Sequence, residues 1–145
     1  MGDSVLAGWY ARQADLGWGF IGPVNAASKL ADREDATWVI VPSLASQPGC
    51  YSFESVRKPG HYLKADNSWL RARVAADDRS AEFRQNATWC TTTGQSGSGT
   101  SFTWGVGPVQ RLLQHKTGDL YVDQNDGTKE GRHASTWKIS PPLAP

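Results

Sequence analysis

The 145-residue sequence predicts an all-β fold, a single β-trefoil domain made of three pseudo-repeats of about 48 residues. Three observations predict it. Similar strings, Asp35-Ala36-Thr37-Trp38, Asn86-Ala87-Thr88-Trp89 and Ala134-Ser135-Thr136-Trp137, recur with spacings of 51 and 48 residues between their tryptophans. A short polar string lies twelve residues upstream of the second and third tryptophans, and Ala26-Ala27-Ser28 holds that place before the first. Short apolar or alternating runs keep the same period.

The elements follow in order. After the tryptophans come Val39-Ile40-Val41, Cys90-Thr91-Thr92 and Lys138-Ile139-Ser140, which read as strands. Upstream, Asp77-Asp78-Arg79-Ser80 and Asn125-Asp126-Gly127-Thr128 read as tight turns, because Asp and Asn tolerate the left-handed region and Gly supplies positive φ. Strand-like runs precede the turns, most clearly Leu120-Tyr121-Val122. Further upstream lie Tyr10-Ala11-Arg12, Tyr62-Leu63-Lys64 and Leu112-Leu113-Gln114, and before the last two come Ser52-Phe53 and Ser101-Phe102. Each unit thus offers about four short strands. One such unit cannot bury both its faces, but three can close on a shared core and remove their sheet edges. The predicted units are approximately 1–47, 48–97 and 98–145, with the recurrent Trp, Phe and Leu as core layers. Gln95-Ser96-Gly97-Ser98-Gly99-Thr100 reads as a mobile link between the second and third.

Composition narrows the function classes. Fifteen basic against 14 acidic residues leave a net charge of +1, so nothing points to nucleic acid or an acidic membrane surface. No apolar stretch approaches the roughly 20 residues of a membrane span. His61, His115 and His133 lack metal-ligand spacing, and 123–127 lacks the alternation and distal Glu of a calcium loop. No metal or cofactor is expected. Residues 1–8 show no charged leader followed by an apolar core. That fits an intracellular chain or one that starts after a removed leader. Cys50 and Cys90 read either as two buried thiols or as a disulfide closing a loop of about 40 residues, a closure worth roughly 4 kcal/mol.

Cys50-Tyr51-Ser52-Phe53-Glu54-Ser55-Val56, Pro59-Gly60-His61-Tyr62-Leu63-Lys64, Ala87-Thr88-Trp89-Cys90 and the run from Leu120 to Lys129 resemble the arabinose-binding domain of α-L-arabinofuranosidase B (carbohydrate-binding module family 42). The resemblance spans about residues 9–139. It implies a β-trefoil, a Cys50–Cys90 bridge, an exported protein and an arabinofuranose side chain of a polysaccharide as ligand. It also implies a His after a Tyr-Leu-Arg string, and an Asp before an Ala-Thr-Phe string, in each binding unit. A carboxylate and an imidazole suit sugar hydroxyls, and neighbouring rings cover apolar C–H faces.

Residue by residue the pair is incomplete. Unit one has Asp35 but Gln13 in the His position; unit two has Ala65 and Asn86; unit three has His115 but Ala134, beside His133. The sequence therefore predicts a lectin-like carbohydrate-binding module with degenerate sugar sites. Its candidate ligand-binding residues are Tyr10, Arg12 and Asp35 in unit one, Tyr62 and Asn86 in unit two, and His115 and Tyr121 in unit three. Trp9, Tyr10, Arg12 and Trp18, with Gly17, Gly19 and Gly22 between, would either rim a pocket or pack as an irregular loop. A second reading is a repurposed trefoil that binds or transforms a non-sugar small molecule, with Asp35 as general acid or His115 as general base. A third is a structural or protein-binding domain. The partner is thus a glycan or another small molecule, and whether the chain is an enzyme stays open.

Overall fold

The computed structural model describes residues 2–3, 8–66, 70–105, 111–124 and 126–144. The chain is all-β in character, with twelve strands and three six-residue helices among these residues. The order is β1 (Gly2–Asp3), β2 (Trp9–Gln13), β3 (Gly19–Pro23), α1 (Leu30–Asp35), β4 (Trp38–Pro42), β5 (Cys50–Ser55), β6 (His61–Asp66), β7 (Arg71–Ala76), α2 (Ala81–Asn86), β8 (Trp89–Thr93), β9 (Thr100–Trp104), β10 (Arg111–Lys116), β11 (Asp119–Asp123), α3 (Lys129–Ala134) and β12 (Trp137–Lys138). The strand path runs β10-β11-β3-β2-β1-β12-β9-β8-β5-β6-β7, with β4 on β5. Pairings of β10 with β9 and of β11 with β7 fold this path back on itself.

Alternation along the strands decides what is inside. Ala11, Leu63 and Leu113 point inward, as do Ile21, Val74 and Val122 opposite them. With Phe53, Phe102, Trp89 and Trp137 they make one core, in which Phe53 meets the Phe102 ring edge-on at 5.0 Å.

The recurrent Thr-Trp string has a physical meaning. The Thr37, Thr88 and Thr136 hydroxyls each donate at 2.7 Å to a carbonyl four residues earlier, closing the end of α1, α2 and α3. The next residue then turns inward. The Trp38, Trp89 and Trp137 indoles donate to the Ala11, Leu63 and Leu113 carbonyls at 3.1, 3.0 and 2.9 Å. The ring supplies apolar area while its N–H finds a partner, the condition for burying Trp. Trp89 and Trp137 are fully buried, whereas Trp38 is half-buried.

At one end three hairpins meet. The Ile21, Val74 and Val122 amides donate to the Gly118, Gly17 and Leu70 carbonyls at 2.8, 2.7 and 2.7 Å, so each hairpin grips the turn of another. Gly17 holds φ at 91° in its turn, which an L side chain rarely adopts.

Three local expectations change. The polar strings before the second and third tryptophans do turn, with Arg79 and Gly127 at positive φ, but each turn leads into a helix. Asp77, Asp78 and Asp126 accept from amides two residues on, and Ser80 and Thr128 then cap α2 and α3 by accepting from Phe83 and Gly131. Asn125 lies outside the described residues. The Gly/Ser stretch 95–100 is a pinned hairpin turn, not a mobile link. Its Gln95 and Ser96 amides donate to the Ser101 and Thr136 hydroxyls, and Gly94 donates to Gly99. The aromatic 9–22 stretch is the β2–β3 hairpin rather than a rim or irregular loop. Cys50 and Cys90 face each other across β5 and β8 and are bridged.

Candidate functional site

The three positions expected to hold a sugar-binding His follow directly after the strand residue pair that begins with a Trp-bonded carbonyl. They are filled by Gln13, Ala65 and His115, and they lie opposite Gly19, Ala72 and Leu120 on the neighbouring strand.

Gln13 is buried, and the Ser55 hydroxyl donates to its side-chain oxygen. The same Ser55 hydroxyl accepts from the Lys58 amide at 2.9 Å, which fixes the turn after β5. That turn also carries Arg57. Its Nη1 lies 3.2 and 3.3 Å from the two Asp35 carboxylate oxygens and 3.4 Å from the Ala31 carbonyl. Asp35, at the end of α1, is 8% exposed. Burial raises its carboxyl above the ordinary 3.8, against the lowering pull of Arg57 and Arg12 and with a further raising push from Asp32. Both polar groups at this place are thus met by one segment, 55–57.

Arg12 points to the opposite face of β2 from Gln13. Its guanidinium pairs with Asp32 at 2.9 Å and lies 5.0 Å from the Phe20 ring. Asp32 and Asp35 are therefore each held by an arginine, not opposed across a gap as glycosidase carboxylates are. Tyr10 shares Arg12's face but opens on a different feature, a groove of about 110 Å³ bounded by Trp38, Ile40, Ile139 and the C-terminal segment 140–143.

At the second position Ala65 is buried and offers no polar atom. Tyr62 of β6 pairs with Glu54 of β5. Burial raises its phenol, Glu54 and Asp77 push it further up, and Arg84 opposes them. Asn86 ends α2 and is half-buried. No hydrogen bond joins Tyr62 to Asn86 among the described residues.

At the third position His115 is half-buried and meets the Trp137 ring edge-on, with centroids 6.1 Å apart at 78°. Strand parity separates it from Tyr121. His115 pairs with Leu120, while Tyr121 pairs with Gln114 and stands on the other face. Tyr121 instead lies under the Arg71 guanidinium at 5.6 Å. So His115 and Tyr121, grouped by sequence, serve two surfaces. Ala134 is half-buried, and the neighbouring His133 has a buried Nδ1 with no hydrogen-bond partner among the described residues.

Sequence reasoning missed Arg57, Arg71 and Arg73. The Arg71-Ala72-Arg73 alternation was a usable signal, since it puts both arginines on one face of a strand. Arg57 had none, because its partner lies 22 residues away on another element. No group of His, Cys, Asp and Glu suited to a metal occurs among the described residues. No helix there is long and apolar enough to cross a membrane.

The probable α-L-arabinofuranosidase B of Aspergillus clavatus is 33% identical over 104 residues, covering 72% of this chain and 20% of that protein. An arabinofuranosidase/B-xylosidase of Trichoderma koningii is 34% identical over 104 residues, with the same 72% and 20% coverage. A crystal structure of an arabinofuranosidase complexed with arabinofuranosyl-α-1,2-xylobiose superposes with a TM-score of 0.87 at 25% identity, covering 99% of this chain and 30% of that one. A GH54 α-L-arabinofuranosidase soaked with a cyclic sulfate inhibitor gives 0.87 at 26% identity. The chain spans about a fifth of the length of these curated relatives. The family profile of the α-L-arabinofuranosidase B (ABFB) domain matches residues 5–139, and the chain belongs to that family.

Proposed function

We propose that this chain is a single β-trefoil carbohydrate-binding domain, with units approximately 1–47, 48–97 and 98–145, that binds arabinofuranosyl-type side chains of a polysaccharide through its third unit. The three indole-to-carbonyl bonds and the three hairpin-to-turn bonds support the trefoil reading, because each set repeats once per unit. The 0.87 TM-score to an arabinofuranosidase bound to an arabinofuranosyl saccharide supports the ligand class.

The observation that carries the choice of unit is His115 against Trp137. It holds a half-exposed, directional imidazole, a partner for sugar hydroxyls, against the edge of the buried Trp137 ring. Gln13 and Asp35 are met by Ser55 and Arg57, and Ala65 has nothing to offer. In this reading the sites of units one and two are closed. Asp35 is no general acid either, despite its raised pKa, because Arg57 lies on it. In this reading His133, next to Ala134, substitutes for the missing carboxylate as a hydrogen-bonding group rather than an anion.

The test is affinity electrophoresis of the protein in arabinoxylan and in unsubstituted xylan. Retardation specific to arabinoxylan is expected, weakened about tenfold or more by His115→Ala, as loss of a sugar hydrogen bond implies, and unchanged within about twofold by Asp35→Asn. Folded protein that shows no retardation, or that loses it with Asp35→Asn and keeps it with His115→Ala, overturns the reading.

A further inference from the structure

We propose that the outer face of the hairpin end, at Arg73 and Arg71, is a second binding surface, which takes the carboxylate of an acidic, uronic acid-bearing saccharide. Only the saccharide part of this rests on the carbohydrate reading above.

The surface is built by register. Ala72 is fully buried, so Arg71 and Arg73 on either side of it point out from β7. There β7 meets the other two hairpins: Trp18 bridges to Arg73, and Tyr121 of β11 pairs with Arg71. The Trp18 ring carries Arg71 at 4.7 Å and Arg73 at 5.0 Å, and Tyr121 carries Arg71 at 5.6 Å. A guanidinium stacked on a ring loses freedom but keeps its donor edge available, so it is preorganised for a planar oxyanion.

The two arginines are unequally engaged. Arg71 pairs with Asp119 at 3.2 Å and donates to the Gly19 carbonyl at 3.4 Å. Arg73 has one ionic partner among the described residues, Asp66, at a loose 3.8 Å, although its side chain is only 37% exposed. The Nε atoms of both are buried without a hydrogen-bond partner there. A guanidinium carries five N–H donors whose fork matches a carboxylate in bidentate fashion. Arg73 is thus a fixed, under-used fork, with a carboxylate already beside it but too far for a good hydrogen bond. A ligand carboxylate that reaches hydrogen-bonding distance outcompetes Asp66. A neutral sugar gains nothing from that exchange.

Binding of tetragalacturonate and of xylotetraose, measured by calorimetry at two salt concentrations, tests this. Expected is saturable binding of tetragalacturonate that weakens with salt, falls about tenfold or more with Arg73→Gln, and strengthens severalfold with Asp66→Asn. Xylotetraose should respond to neither substitution. Thermal unfolding checks that Arg73→Gln folds; if it does not, Asp66→Asn decides, because a purely structural ion pair predicts unchanged or weaker binding when the acid is removed. No saturable tetragalacturonate binding, equal affinity in Arg73→Gln, or unchanged or weaker binding in Asp66→Asn overturns the proposal. His115→Ala should leave tetragalacturonate binding intact, so failure of the arabinofuranosyl site and failure of this surface are read separately.

Discussion

Gln13 and His115 occupy matching positions two residues beyond a tryptophan-bonded carbonyl, yet they differ in exposure. Gln13 is sealed by the Ser55 hydroxyl, and Asp35 close to the same turn is covered by Arg57. His115 stays half-buried against Trp137. The difference teaches that scaffold and site are separable. The indole bond below each position is kept, while the polar group above it is free to become an internal contact or a ligand contact. Internal contacts stabilise the domain, and a group used that way is withdrawn from binding.

The largest effects should come from the shared scaffold. Trp89→Ala and Trp137→Ala each remove a fully buried ring and leave a carbonyl without its donor. Each should cost about 3–5 kcal/mol or more in urea unfolding. Trp38→Ala, at a half-buried ring, should cost less. A Trp38→Ala cost equal to the other two would break the idea that the Gln13 side of the molecule leans more on polar contacts.

The disulfide comes next. Cys50 and Cys90, 40 residues apart, tie the strand that leads into the Ser55–Arg57 segment to β8. Replacing both with Ser should cost about 4 kcal/mol from loop closure. Unfolding with and without reductant measures it, and a reductant-insensitive midpoint would speak against the bridge.

Asp35 gives the pH test. Its folded carboxyl is raised above 3.8, chiefly by burial, so the folded state holds this proton more tightly than the unfolded state does. Its contribution to stability is therefore full below pH 3.8 and is lost as pH rises through the higher folded value. The stability of the wild type relative to Asp35→Asn should decline as pH rises from about 4. A rise instead would mean that the Arg57 pair outweighs burial.

The smallest effects lie at the helix starts. Ser80 and Thr128 cap α2 and α3, but Lys29 gives α1 no side-chain cap. Ser80→Ala should cost about 1 kcal/mol, and Lys29→Ser should gain about 0.5 kcal/mol, if an added hydroxyl can reach the free amides. Thermal melts of both variants set the scale for how far the first helix departs from the other two.

Much of the scaffold is legible in the sequence. The Thr-Trp strings and the strand runs around Tyr10, Leu63 and Leu113 appear where their spacing put them, and the Cys50–Cys90 bridge is the one the family resemblance implied. The helices were not legible, although Ser80 and Thr128 were visible N-cap signals. The preceding Asp residues are equally good turn formers, and six-residue helices leave too little periodicity to arbitrate. Of the site, His115, Ala65 and Asn86 could be placed by counting residues. Their partners could not.

The sequence by itself determined the repeating strand pattern, the buried tryptophans and the residue type at each of the three equivalent positions. These depend on local alternation and on a period that can be counted. Only the tertiary structure decided that Gln13 and Asp35 are sealed, that Tyr121 and His115 face different surfaces, and that Trp18, Arg71 and Arg73 share one. Those outcomes depend on which strands meet and in what register. A one-residue change of register turns every side chain to the opposite face, and no spacing along the chain reports it.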